Sequence, residues 1–200
     1  MKPALIILFI FLSAFSYAQT GNKAWRIGIK TDLNFSTIKG NGMASGYSTG
    51  AQFGGFAEKP LGHGFSLQPE LLFTQTNARK GDNFMTYYNT DGNLFAADNI
   101  RLGYLTVPLM AKYQLNKYLS VLAGPQYSLM LFDAESLVDD NKGVAFKRYE
   151  WSANAGLQFT IGSVSLYGRY NAGLTNINAI DNRYAWRARH WQTGIAIMIF

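Results

Sequence analysis

The chain has no cysteine and only five prolines in 200 residues, and Asp, Glu, Lys and Arg together make up 15% of it. Without cysteine there are no disulfides, no cysteine-ligated zinc, no thiol nucleophile and no lipidated cysteine. Charge is scarce beside the roughly 25% of an ordinary soluble domain. With 48% hydrophobic and 15% aromatic content, this composition excludes a disordered chain. Long apolar runs are also lacking. Mean hydropathy is −0.05, and beyond the first twenty residues no stretch is long enough for a spanning helix, which excludes a helical membrane protein.

What is present begins with an address. Met1-Lys2, the apolar stretch Ala4–Phe15 and the small-residue pattern Ser16-Tyr17-Ala18 before Gln19 have the layout of a secretory signal. Residues 1–18 are expected to be removed, leaving one domain over residues 19–200.

Through that domain the apolar residues recur with period two. From Trp25 the odd positions read Trp, Ile, Ile, Thr, Leu, Phe and the even ones Arg, Gly, Lys, Asp, Asn, Ser. Similar runs cover Tyr47–Glu58, Phe65–Thr76, Leu102–Leu115, Tyr118–Leu131, Arg148–Ile161, Val164–Leu174 and His190–Phe200. Eight strands follow. Their connections alternate long (Thr37–Gly46, Asn77–Arg101, Phe132–Lys147, Thr175–Arg189) and short (Lys59–Gly64, Asn116-Lys117, Gly162-Ser163). An even number of antiparallel strands with tight turns at the end holding both termini is the layout of an up-and-down transmembrane β-barrel, with the termini periplasmic. Closure also removes the unpaired edges of such a sheet.

Alternation alone leaves open whether the apolar face points inward, as in a soluble barrel, or outward to lipid. The polar face carries many small residues (Gly28, Ser36, Gly50, Gly54, Ser120, Gly124, Ser152, Gly156). These suit a cramped interior better than a solvated surface. Aromatic residues gather near strand ends on the apolar face: Trp25 and Tyr113 towards the short turns, Phe35, Tyr47, Phe73, Tyr149, Trp151 and Trp191 towards the long connections. Two interfacial girdles are expected from them. The polar face then brings Arg26, Lys30, Asp32, Glu58, Glu70, Lys112, Arg148, Glu150 and Arg169 into or near the lumen, five bases against four acids. Such charges are expected to pair, with Glu70, Lys112 and Arg169 central to a network that plugs the barrel.

Two segments, GFSLQPELLFTQTNARKG and YLTVPLMAKYQLNKYLSVLAGPQYSLML, resemble the PorT-type outer-membrane β-barrel domain of Bacteroidetes. The resemblance covers the chain in layout and these segments in motif. It implies an eight-stranded barrel in the outer membrane of a Gram-negative envelope. Thr106 stands where that family commonly carries an acidic residue. Phe200 resembles the terminal aromatic by which the barrel-assembly machinery recognises such proteins. Counting back from it, however, the alternate positions Met198, Ala196 and Gly194 are less apolar than Ile199, Ile197 and Ile195, which leaves the lipid-facing parity of the last strand open.

Catalysis fits poorly. The chain has only His63 and His190. His63 is expected in a solvated turn and His190 at the outer rim, neither beside a serine nucleophile. Asp139-Asp140-Asn141-Lys142-Gly143 lacks the spaced acids of an EF-hand, and Gly40-Asn41-Gly42 lacks the βαβ context of a dinucleotide fingerprint. No cofactor or metal is expected. The formal charge of +6 is dispersed and does not make a nucleic-acid patch. At the outer rim, Arg183, Arg187 and Arg189 are placed to meet lipopolysaccharide phosphates. The functional expectation is a non-enzymatic outer membrane protein with a filled lumen, displaying its long loops for structural, adhesion or partner-docking roles. The alternative is a narrow transporter or accessory of a secretion or uptake complex.

Overall fold

The structure is a computed structural model and describes residues 24–39, 46–79, 99–133, 147–177 and 185–200. Eight strands follow in chain order: β1 (Arg26–Lys39), β2 (Ser48–Gly62), β3 (Phe65–Arg79), β4 (Asn99–Gln114), β5 (Leu119–Asp133), β6 (Tyr149–Ile161), β7 (Val164–Gly173) and β8 (Arg187–Met198). Each pairs antiparallel with its neighbours in sequence, and β1 pairs with β8, so the sheet is a closed up-and-down barrel.

Three tight turns share one end with the two extremities of the domain. Between β2 and β3, Gly62, His63 and Gly64 all have positive φ (103°, 53° and 81°), a conformation that glycine adopts without steric penalty. In the β4–β5 turn, Asn116 Oδ1 accepts hydrogen bonds from the Tyr118 and Leu119 amides, both at 2.9 Å. The β6–β7 turn is Gly162-Ser163. Beside them Ile27 N donates to Phe200 O at 2.9 Å and Ile199 N to Ile27 O at 2.8 Å, which ties the chain's end to the start of β1.

Strand limits differ from the alternation in several places. Residues 37–39, 77–79, 99–101 and 187–189 belong to β1, β3, β4 and β8 and not to the long connections. Backbone pairing there, such as Lys39 with Arg187 and Arg79 with Asn99, continues after the side-chain alternation has faded. Strand β2 also runs on through Pro60 to Gly62. A register shift between Pro60 and Gly62 accommodates the proline's missing donor.

The apolar face points outward. Leu33 is 52% exposed and the next residue, Asn34, 0%. Outward positions include Ile29, Phe53, Leu131, Leu157, Leu166 and Ile195. In β8 the odd set, Trp191, Ile195 and Ile197, is outward while His190, Gln192 and Ala196 are buried within. This resolves the parity left open by the sequence. Phe200 lies beyond the last strand residue and is 83% exposed.

Both ends of the interior contain apolar side chains. Near the turns, Phe56, Tyr167 and Ala196 form a buried cluster with Met198 against it. Near the long connections, Ile38, Leu102, Tyr104, Ile177, Trp186 and Ala188 are all buried. Gly28 faces inward on β1, where a Cβ would run into the Phe56 ring and the Ile197 carbonyl. Gly28→Val is expected to destabilise the barrel by about 1–3 kcal/mol through overpacking, measured as a lower urea midpoint in lipid vesicles. Gly55→Ala, whose Cβ would meet its nearest neighbour at 3.6 Å, serves as the control and is expected to leave the midpoint unchanged.

Candidate functional site

With the apolar residues outside, the polar residues of all eight strands meet in the lumen. Eight strands leave a space that side chains just fill, and here they do so in layers. Nearest the turns, Glu58 of β2 is held between Arg26 of β1 and Lys112 of β4, the latter at 3.1 Å. Arg26 reaches the rim, its side chain 48% exposed, while Glu58 is buried. Its two cations balance the charge of the Glu58 carboxylate in this layer.

In the next layer Glu70 of β3 accepts from Lys30 Nζ at 3.0 and 3.2 Å, from Arg169 Nη1 and Nη2 at 3.1 Å each, and from Gln68 Nε2 at 2.7 Å. Strands β3 and β7 stand opposite each other in the eight-membered ring, so the bidentate Glu70–Arg169 pair crosses the lumen. Asp32 of β1 accepts from the Tyr167 hydroxyl of β7. The same Tyr167 ring has Lys30 Nζ at 4.0 Å and Arg169 Cζ at 4.8 Å from its centroid. These are cation–π contacts that pack the two bases around one aromatic face.

Above this runs a chain of neutral groups. The Gln52 amide, oriented with its nitrogen donating to both Asp32 oxygens at 3.1 Å, bridges to Thr74 Oγ1 at 2.6 Å. Thr74 continues to Thr106 at 3.0 Å, and Thr106 to Ser128 at 3.3 Å. Gln126 then links Ser128 (3.2 Å) with Asn154 (2.9 Å), and Asn171 joins Asn154 (3.0 Å) to Ser152 (2.8 Å). The hydroxyl of Thr106 relays this chain between β3 and β5.

Of the nine charged residues assigned to the lumen, Arg26, Lys30, Asp32, Glu58, Glu70, Lys112 and Arg169 take part in these layers. Two depart from expectation. Arg148 is exposed just ahead of β6, where the pleat ends and a long side chain reaches water. Removing it from the set leaves four bases and four acids. Glu150 is buried as expected but has no basic partner among the described residues. The register sets it opposite Ser128, and its Oε1 packs over Gly173.

His190 is the other correction. It is not at the rim but inside, 7% exposed, because β8 begins at Arg187 and its even positions face inward. His63 is exposed in its turn. Arg187 and Arg189 lie on the outer face of β8 at its loop end, in a strand and not in a loop, and Arg183 lies outside the described residues. The segments 40–42 and 139–143 also lie outside them. Tyr167, Gln52 and Gln68 were legible by parity as inward residues, although charge alone did not mark them. Phe56, Leu72, Met110 and Leu122 also face inward but are apolar, so polarity does not mark them and only their place in the strand does.

The aromatic residues assigned to the girdles lie on the outer face. Phe35, Tyr47, Tyr113, Tyr149, Trp151 and Trp191 are exposed, and Phe73 is half-buried against Phe53. Trp25 is half-buried, with Lys59 Nζ 5.4 Å from its ring. Ring pairs across strands include Phe65–Tyr113 (4.6 Å), Tyr127–Trp151 (5.0 Å) and Tyr170–Trp191 (4.8 Å).

An apolar exterior, a polar interior and a closed eight-stranded ring can coexist only where the outer surface meets lipid. The outer membrane protein β-barrel domain family matches residues 17–179. The chain belongs to this family. It is an outer membrane protein, and lipid covers its apolar face. No curated protein sequence matches it. Among solved structures it is similar to Ail, the attachment invasion locus protein of Yersinia pestis, determined in complex with the heparin analogue sucrose octasulfate. That likeness has 13% identity and a TM-score of 0.54, and it covers 88% of this chain and 99% of Ail. Neisserial surface protein A is similar at 10% identity and a TM-score of 0.52, over 86% of this chain and 97% of the other. At these identities the likeness is one of fold.

The layers predict strong asymmetry between breaking and replacing the central cluster. Glu70→Ala is expected to cost about 3–5 kcal/mol because it strands Lys30 and Arg169 together in the lumen. Replacing all three by apolar residues of similar volume (Lys30→Met, Glu70→Leu, Arg169→Met) is expected to recover most of that loss. Urea unfolding followed by tryptophan fluorescence in vesicles measures both.

Proposed function

We propose that the protein is a sealed outer membrane barrel that carries its long connections outside the cell for structural, adhesion or partner-docking roles. One observation carries this reading: the lumen is crossed from wall to wall by the Glu70–Arg169 pair, backed by the Arg26–Glu58–Lys112 ions and Phe56 toward the turns and by buried apolar side chains toward the long connections. In this reading the tight turns and both termini face the periplasm and the four long connections face outward, the usual arrangement of such barrels.

A non-catalytic role is supported by the same packing. Ser128, His190 and Glu150 line one cavity near the loop end, which superficially resembles a serine–histidine–acid set. Yet His190 Nδ1 has no partner among the described residues, and Ser128 Oγ accepts from Thr106 and Gln126 without a hydrogen bond to His190. Space for water centres there is about 10 Å³, room for one water and not for a substrate.

Residues 1–18 act as the signal peptide in this proposal and 19–200 as the barrel, with Phe200 read by the barrel-assembly machinery. The resemblance of residues 64–81 and 104–131 to the PorT-type domain supports a barrel of Bacteroidetes. The exposed Arg187 and Arg189, with Arg183, are proposed to contact lipopolysaccharide phosphates. Arg187 stands in register with the exposed Lys39, which adds a cation beside them. Ail was determined with a sulfated heparin analogue. A barrel of this fold has thus been determined with a sulfated, anionic ligand.

In planar bilayers the purified protein is expected to show no stable unitary openings. Openings that change with Glu70→Ala would replace the sealed barrel with the narrow transporter or accessory barrel. Crosslinking from residues 77–101 in intact outer membranes is the measurement that names a docked partner. Changing Arg183, Arg187 and Arg189 to Gln is expected to reduce the lipopolysaccharide that co-purifies with the barrel, and unchanged co-purification would sink the proposed contact.

A further inference from the structure

At the loop end of the lumen, beside Ile177, the inward residues Glu150, His190 and Gln192 line one small cavity. Hydroxyl residues Thr76, Thr106 and Ser128 complete its polar wall. The first three are deeply buried, with exposures of 5%, 7% and 4%. Glu150 Oε1 and His190 Nδ1 have no hydrogen-bond partner among the described residues. An ionised carboxylate only accepts. Left unanswered at such depth, it costs the desolvation it suffered.

The charge around Glu150 sharpens this. Lys30 and Arg169 are committed to Glu70, and Arg26 and Lys112 to Glu58. Asp32 has the Tyr167 hydroxyl. Around Glu150, β5 presents Ser128 in register, β7 presents Gly173, and β8 presents Ala188 and His190. His190 is thus the one titratable group among the residues that face it, and no lysine or arginine stands there among the described residues. What the site asks for is a small positive charge that accepts oxygen ligands.

We propose that this cavity is a monovalent cation site, with Glu150 as its charged ligand and the hydroxyl oxygens of Thr76 and Thr106 as neutral ones. A single carboxylate matches a single positive charge. Divalent ions require several carboxylates or a shell of retained waters. The cavity offers one acid and room for one water-sized occupant, about 10 Å³ for water centres. Among the described residues no three His, Cys, Asp or Glu side chains gather to hold a divalent metal. His190 adds a lone pair at Nδ1 when its proton sits on Nε2. The bound ion balances a lumen acid that has neither a base nor a hydrogen-bond donor among the described residues and joins β6 to β8 beneath the apolar closure of the mouth.

The site goes beyond the sealed-barrel reading and is tested apart from it. The full-length protein is unfolded by urea in vesicles of zwitterionic phospholipid at constant ionic strength. Sodium or potassium chloride is exchanged against the chloride of N-methylglucamine, a cation too large for the cavity. An ion that binds only the folded state raises stability with the logarithm of its concentration. The wild-type midpoint is therefore expected to climb with sodium or potassium, and the Glu150→Gln midpoint to stay flat. Thr76→Val keeps the charge but removes one oxygen, so its response is expected at about tenfold higher ion concentration. That variant also decides the matter should Glu150→Gln fail to fold. A wild-type midpoint equal in all three salts overturns the site, and so does a Glu150→Gln barrel that keeps the ion response. An infrared band of a protonated carboxyl at neutral pH that disappears in Glu150→Gln overturns it as well, because the acid would then be neutral.

Discussion

An eight-stranded ring encloses a space no wider than the side chains that point into it, and the rest of this structure answers to that limit. Half of every strand must enter the space, and in a barrel surrounded by lipid that half is the polar one. Charges brought so close have to be arranged by sign. Glu58 and Glu70 each sit between two bases, and the neutral amides and hydroxyls are linked from Gln52 round to Ser152. The small inward residues follow from the same limit. Gly28 yields its volume to Phe56, and Gly156 yields to Arg169, whose Cβ would be 2.6 Å from any added methyl.

Filling the interior in this way shapes function as much as stability. A continuous aqueous path would need a file of groups facing water, whereas here the polar groups face each other. The long bases are consumed in crossing the lumen, and the aromatic ring of Tyr167 occupies the middle of their reach. Chemistry is accordingly displaced to the outside of the molecule, where the connections and the cations of the β1–β8 seam, Lys39, Arg187 and Arg189, meet their surroundings.

Much of this was legible in one dimension because the period of a strand is exact and survives wherever one face is buried. Alternation located all eight strands, their order and, Arg148 excepted, the inward charged residues from Arg26 to Arg169. It failed where a fact depends on two strands at once. The ends of β1 and β8 are fixed by Lys39 meeting Arg187, a backbone match that side chains do not record. The same early start of β8 carried His190 inside. That Glu150 stands opposite Ser128 with Gly173 above it is a property of register, and nothing in the local sequence around Glu150 signals the absence of a base. Arg148 misled because parity states direction but not whether a strand has begun.

The ties across the lumen also join residues far apart in the chain, 99 positions for Glu70 with Arg169 and 135 for Asp32 with Tyr167. Until β7 is in place, a growing sheet holds Lys30, Asp32 and Glu70 on an inner face with no opposite wall. Such a partial sheet cannot be placed alone in hydrocarbon, where unmatched polar groups and open edges are both costly. The cost of the open form thereby ties insertion to ring closure, since Arg169 and Tyr167 meet Glu70 and Asp32 only when the last hairpin stands opposite the first strands.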